Sequence, residues 1–127
     1  MDLLRLRDRI PHVGLARVRG SSMEPGLRNG QFLLIRYADA RASPPTLGSL
    51  VVINLPRDSA GRPRPVAIKR LTRREANGGL WVESDNTADV HRVDSWTVGA
   101  LPRSALLATV VFIFPAWLGS ARRPSSG

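Results

Sequence analysis

Short apolar runs alternate with breaks rich in Gly, Pro and Asn through the middle of the chain. Residues 14–20 (GLARVRG), 31–37 (QFLLIRY) and 49–56 (SLVVINLP) each read as a strand, divided by the turn LRNG and the loop ARASPPTLG. Past a second loop, RDSAGRPRP, residues 66–72 (VAIKRLT) and 80–84 (LWVES) flank the turn ANGG and predict a hairpin. Residues 85–102 form a long polar connection. A helical turn is expected near Pro102–Leu106, and residues 106–114 (LLATVVFIF) supply the strand that closes the sheet. No internal repeat is visible. The pattern predicts a mostly β domain of twisted, partly closed antiparallel sheets with few short helical turns.

A chain of 127 residues fits one domain and buries enough surface to need no covalent staple. Cysteine is absent, which excludes a disulfide frame and any cysteine zinc site. The expected organisation is an N-terminal arm at 1–12, a domain at 13–118 and a disordered tail at 119–127. In the arm, Leu3, Leu4, Leu6 and Ile10 stand among arginines, a spacing that suits a short amphipathic turn or two on a membrane surface; the plainer reading is a segment that frays or packs on its own domain. The arm has no apolar core of the kind a secretory signal carries. The most apolar run, residues 105–114, falls well short of the roughly 20 residues a membrane span requires.

Charge changes the picture at one position. Lys and Arg total 19 against 10 Asp and Glu, and Lys69 is the only lysine among them. The excess suits nucleic acid or an anionic surface. The arginines are spread thinly, however, and few aromatics interleave with them, so no nucleic-acid partner is expected.

The candidate chemistry lies in three places. GSSMEPGL, residues 20–27, is a turn around Ser22, with Gly20 free to take unusual angles and Pro25 fixing the exit. The plainer reading is a serine capping a helical turn. A hydroxyl nucleophile needs a base. His91, between Asp89 and Asp94, permits a triad on paper. The surroundings are not a G-x-S-x-G elbow, though, and His91 reads as a solvated surface histidine. Lys69 is the alternative. It shares a strand face with Ala67 and Leu71, and burial there would favour its neutral form. A lysine snorkelling from an edge strand is the bland reading. Lastly, residues 83–102 are dense in Asp, Asn and Ser. They form either an ordinary surface loop or a network in which Asp85, Asn86, Asp94 and Ser95 hold the lysine in place.

Taken together, these residues resemble the type I signal peptidase family, the Ser-Lys endopeptidases. Ser22-Met23-Glu24-Pro25 matches its S-M-x-P box and FLLI the strand that follows. GSLVVINLP is similar to G-D-I-V-V-F-x-x-P, and Ile68-Lys69-Arg70 to V-K-R. Ser84-Asp85-Asn86, Asp94-Ser95-Trp96 and Gly99-Ala100-Leu101-Pro102 stand for G-D-N, D-S-R and G-x-V-P. The boxes keep the family order over residues 15–102.

The resemblance implies a signal-peptidase/LexA-like catalytic core. Ser22 would be the nucleophile and Lys69 its general base. The Ser22 N–H would serve the oxyanion, and Gly20, Ser21, Met23, Asp85, Asn86, Asp94 and Ser95 would support them. It implies no cofactor, no metal and a precursor protein bound as an extended strand along a sheet edge. Departures are Gly20 where many members have serine (LexA-type relatives share the glycine), Ser84 for glycine, Trp96 for arginine, and Gln31 and Ser49 for acids. The interval from Asp85 to Asp94 is also longer. With no anchor helix in view, the chain looks like the short soluble branch that includes nickel superoxide dismutase maturation proteases. The expectation is a monomeric, cytoplasmic endopeptidase that removes an N-terminal extension. The alternatives are a signal peptidase held at the membrane surface through Phe112, Phe114 and Trp117, an inactive relative used as a binding module, and a basic β-barrel binding nucleic acid.

Overall fold

A computed structural model describes residues 2–5, 12–39 and 44–120. The strands are β1 (Asp2–Arg5), β2 (Val13–Arg17), β3 (Phe32–Tyr37), β4 (Leu50–Ile53), β5 (Ala67–Arg74), β6 (Leu80–Glu83) and β7 (Leu106–Ile113). The helices are α1 (Ser95–Val98) and α2 (Ala116–Ser120), with a 3-10 turn at Arg103–Ala105.

All seven strands join one sheet in the order β1-β2-β3-β7-β4-β5-β6, and every pairing is antiparallel. The mostly β prediction holds, in the form of one continuous sheet that does not close. Two expectations are corrected. Asp2–Arg5 pairs with β2 as an edge strand, not as an amphipathic helical turn; four residues, DLLR, are too few to separate a strand period from a helical one. Gly119 and Ser120, assigned to a disordered tail, end α2. Leu6, Ile10 and the remainder of the tail lie outside the described residues.

β4 explains why the middle of the sheet is so apolar. It lies between β7 and β5 and is buried along its whole length. Leu50 and Val52 pack with Ala16, Leu33, Ile35 and Ile68 on one face. Val51 and Ile53 pack with Leu71, Leu80, Val82 and Leu101 on the other. A strand covered on both faces reads as a continuous apolar run rather than an alternation. Each fully buried aliphatic side chain contributes about 1.5–3 kcal/mol at most.

The polar stretch after β6 is folded back on that strand. Leu80 exchanges backbone hydrogen bonds with Leu101. Ser95 Oγ accepts from the Val82 N–H at 2.9 Å, and Asp94 Oδ2 from the Ser84 N–H at 3.0 Å. Alternate edge N–H groups at 80, 82 and 84 are thus satisfied by this stretch, which removes a sticky edge. Asp94 Oδ1 also caps α1 by accepting from the Trp96 N–H. Trp96 stands edge-on to Trp81, and both indoles donate to Glu83.

Candidate active site

Ser22 sits in a turn that begins where β2 gives out. Val18 still pairs with Gln31, but Gly20 swings to φ +87° and its N–H is taken by Asn29 Oδ1 at 3.0 Å. A side chain at position 20 would meet no atom nearby, so glycine is required by the backbone angle and not by space. The chain then turns back on itself, not as a helix, with Leu27 N–H bonding to Met23 O. Met23 and Leu27 are buried in the core and anchor it. Ser22 is half-buried above them.

Lys69 lies on β5 and is only 3 % exposed. Its Nζ donates to Ser84 Oγ at 2.7 Å, and no hydrogen bond joins it to Ser22. Burial pushes its pKa below the ordinary lysine value; Asp94 and then Asp89 oppose the shift, and Arg92 adds to it. The neutral amine a base requires is therefore favoured by the site.

The meeting of Lys69 and Ser84 depends on one extra residue. Near the turn, Arg74 pairs with Leu80 and Arg73 with Trp81. Thr72 is then skipped, and Leu71 pairs with Val82 and Arg70 with Glu83. Continued by one residue, this register sets Ser84 opposite Lys69. Without the bulge Ser84 would face Arg70, with its hydroxyl on the wrong side of the sheet.

Residues 84–86 tie the separate motifs together. Asp85 accepts a two-pronged bond from Arg70, at 2.9 and 2.7 Å, and its N–H points to Met23 Sδ. Asn86 donates through its N–H to Ser22 O and through Nδ2 to Ser21 O, both at 2.9 Å. Asp94 and Ser95, both about 1 % exposed, hold the β6 backbone that carries Ser84. None of Asp85, Asn86, Asp94 and Ser95 hydrogen-bonds Lys69 directly. Asp94 acts on it through charge, and through the position of Ser84.

An open cleft of about 620 Å3 runs between residues 18–23 and residues 64–69, with residues 89–93 along a third side. Ser22 and Lys69 both line it. His91 is exposed, as expected of a surface residue, yet it stands at this cleft. Among the described residues, β1 and β2 pair only as far as Arg17, and β6 meets β5 only as far as Arg70.

A family model described as Peptidase S24-like matches residues 4–95, well over half of the chain. The chain belongs to the Peptidase S24-like family. By family it is a serine-type peptidase, within the broad group that unites LexA-type and signal-peptidase-like proteins. No curated protein and no solved structure matches it. Among the described residues, no helix of this S24-like chain is long and apolar enough to cross a membrane.

Sequence reasoning passed over two residues. Ser84 counted only as a departure from glycine, yet it is the partner of Lys69. The hairpin length hinted at this, but the bulge at Thr72 decides which face Ser84 takes. Asn29, in the turn LRNG, holds Gly20 and carried no signal beyond turn composition.

Proposed function

We propose that this S24-like chain is an endopeptidase in which Ser22 attacks the scissile carbonyl and Lys69 takes its proton. One observation carries the reading: the only lysine in the sequence is buried, with a lowered pKa, in the cleft that Ser22 lines. A serine hydroxyl is inert near neutral pH without a base, and a buried lysine can be that base where an arginine cannot.

The reaction follows from the cleft. A peptide lying extended between residues 18–20 and 64–68 would extend the sheet through main-chain hydrogen bonds. Its carbonyl would meet Ser22 Oγ. As the C–O bond forms, the proton passes to Lys69 Nζ, and the Ser22 N–H would face the developing oxyanion. Lys69 then returns the proton to the leaving amine, and water hydrolyses the acyl-enzyme by the same route. Ser84 would hold the Nζ in line between these steps.

The substrate in this reading is a precursor protein with a removable N-terminal extension. The order of the boxes over residues 15–102 supports a signal-peptidase-like enzyme, and in this reading it is one of the short branch that matures proteins such as nickel superoxide dismutase. The test is to incubate candidate precursors with the purified chain and with Ser22→Ala, and to identify new N-termini by mass spectrometry. New termini that depend on Ser22 are expected; identical termini in both samples would end the proposal.

A membrane-surface variant of the same peptidase is the second reading. Val111, Phe112, Ile113, Trp117 and Leu118 are all exposed near the end of the described chain. Large exposed apolar groups beside net positive charge suit an anionic bilayer surface. Sedimentation with anionic vesicles at high salt would favour it, and recovery in the supernatant would reject it.

A further inference from the structure

One cation of the cleft, Arg64, has no carboxylate partner among the described residues. Arg64 lies on the wall that leads into β5, partly buried, and Nη1 donates to the carbonyls of Pro56 at 2.8 Å and Arg57 at 3.2 Å. These bonds fix the guanidinium in place. No carboxylate among the described residues pairs with it. The other charges around the cleft differ. Arg92 bonds the carbonyls of Thr87 and Asp89 and approaches Asp94 at 4.0 Å. Asp89 is the acid of the third side. With Lys69 working as a neutral amine, the fixed charge left on the peptide-binding wall is positive.

We infer that Arg64 is a specificity residue of this cleft, selecting an extended peptide that carries an acidic side chain a few residues from the bond to be cut. The inference rests on the peptidase reading above and names the substrate class for it. About 17 Å of extended chain separates Arg64 from Lys69. Allowing for the reach of both side chains, the acid falls about three to five residues from the scissile bond, on the side lying along residues 64–68. A planar guanidinium already held by two carbonyls keeps its remaining donors for a carboxylate, at little further entropic cost. A lysine at the same place in the peptide meets repulsion instead.

The experiment uses alanine-rich fluorescent peptides with one Glu, Gln or Lys placed at successive positions on either side of the cleavage point. Binding is measured with Ser22→Ala, so that no turnover is needed, and cleavage with the unaltered chain. A Glu-over-Lys preference of about 5- to 30-fold is expected at one position, shrinking as salt is raised. Arg64→Glu should invert the preference at that position and nowhere else. Arg64→Gln removes the charge and leaves a polar amide of shorter reach; it should abolish the preference, with a circular dichroism spectrum and urea midpoint like the parent's showing that the loop is intact. Cleavage without any acidic preference would overturn the inference and leave the peptidase reading intact. Preferential binding without cleavage would sustain the cleft assignment and overturn the peptidase reading. Neither binding preference nor cleavage would overturn both.

Discussion

Lys69 and Ser84 face each other across the β5–β6 hairpin, both buried, with Nζ donating to Oγ at 2.7 Å. The contact satisfies a lysine that would otherwise lie in an apolar wall beside Ala67 and Leu71, and it aims the amine. Ser84→Ala leaves a buried polar group without its partner. A stability loss of about 1–3 kcal/mol is expected, seen as a lower urea midpoint with an unchanged slope. The rate of cleavage should fall through kcat with KM little altered. A variant as stable and as active as the parent would mean that Ser84 does not position the lysine.

Asp94 is a second support. Its two oxygens accept from the Ser84 and Trp96 N–H groups, so Asp94→Asn turns one acceptor into a donor facing a donor. The cost is expected at about 1–3 kcal/mol by chemical denaturation. Asp94 also raises the pKa of Lys69. Removing its charge should move the acid limb of the pH–rate profile to lower pH. An unmoved limb would contradict the electrostatic role.

Stability itself should carry the signature of the buried lysine. Its folded pKa lies below the unfolded value of about 10.4, so the unfolded chain binds more protons in the interval between them. The contribution is therefore fully present above the unfolded pKa and is lost as pH falls through the folded one. Lys69→Met should remove that slope. Measured unfolding free energies with the same slope in both proteins would show that Lys69 does not titrate as a buried group.

Asn86 tests the link between the two halves of the site. It bonds the Ser21 and Ser22 carbonyls while remaining near the surface. Asn86→Ala should reduce stability by less than about 1 kcal/mol, yet slow cleavage about tenfold through a looser Ser22 turn. Equal effects on stability and rate would make Asn86 a structural residue only.

Much of the sheet was legible because β2, β3 and β5–β7 lie close to their apolar runs, bounded by Gly, Pro and Asn. β1 was missed because four residues, DLLR, are too few to separate a strand period from a helical one. α2 was missed behind Pro115, where the apolar run seemed to end. Lys69 stood out for a compositional reason: one lysine among 18 arginines marks a place where a removable proton matters. Ser84 did not stand out. Its role comes from a bulge at Thr72 that shifts register by one residue, and no local propensity announces that shift. Asp94 and Ser95 read either as loop or as a brace for Lys69; that they do so by satisfying the edge of β6 is a tertiary relationship that spacing alone does not reveal.

Cleavage by Lys69→Arg tests the central claim most directly. Arginine keeps the charge and nearly the length of lysine but holds its proton at any working pH. The substrate is a peptide with small residues before the scissile bond, and circular dichroism verifies that the variant is folded. The account predicts a fall in kcat of at least about 100-fold, equal to that of Ser22→Ala. A folded Lys69→Arg protein that cleaves at the parent rate would contradict it.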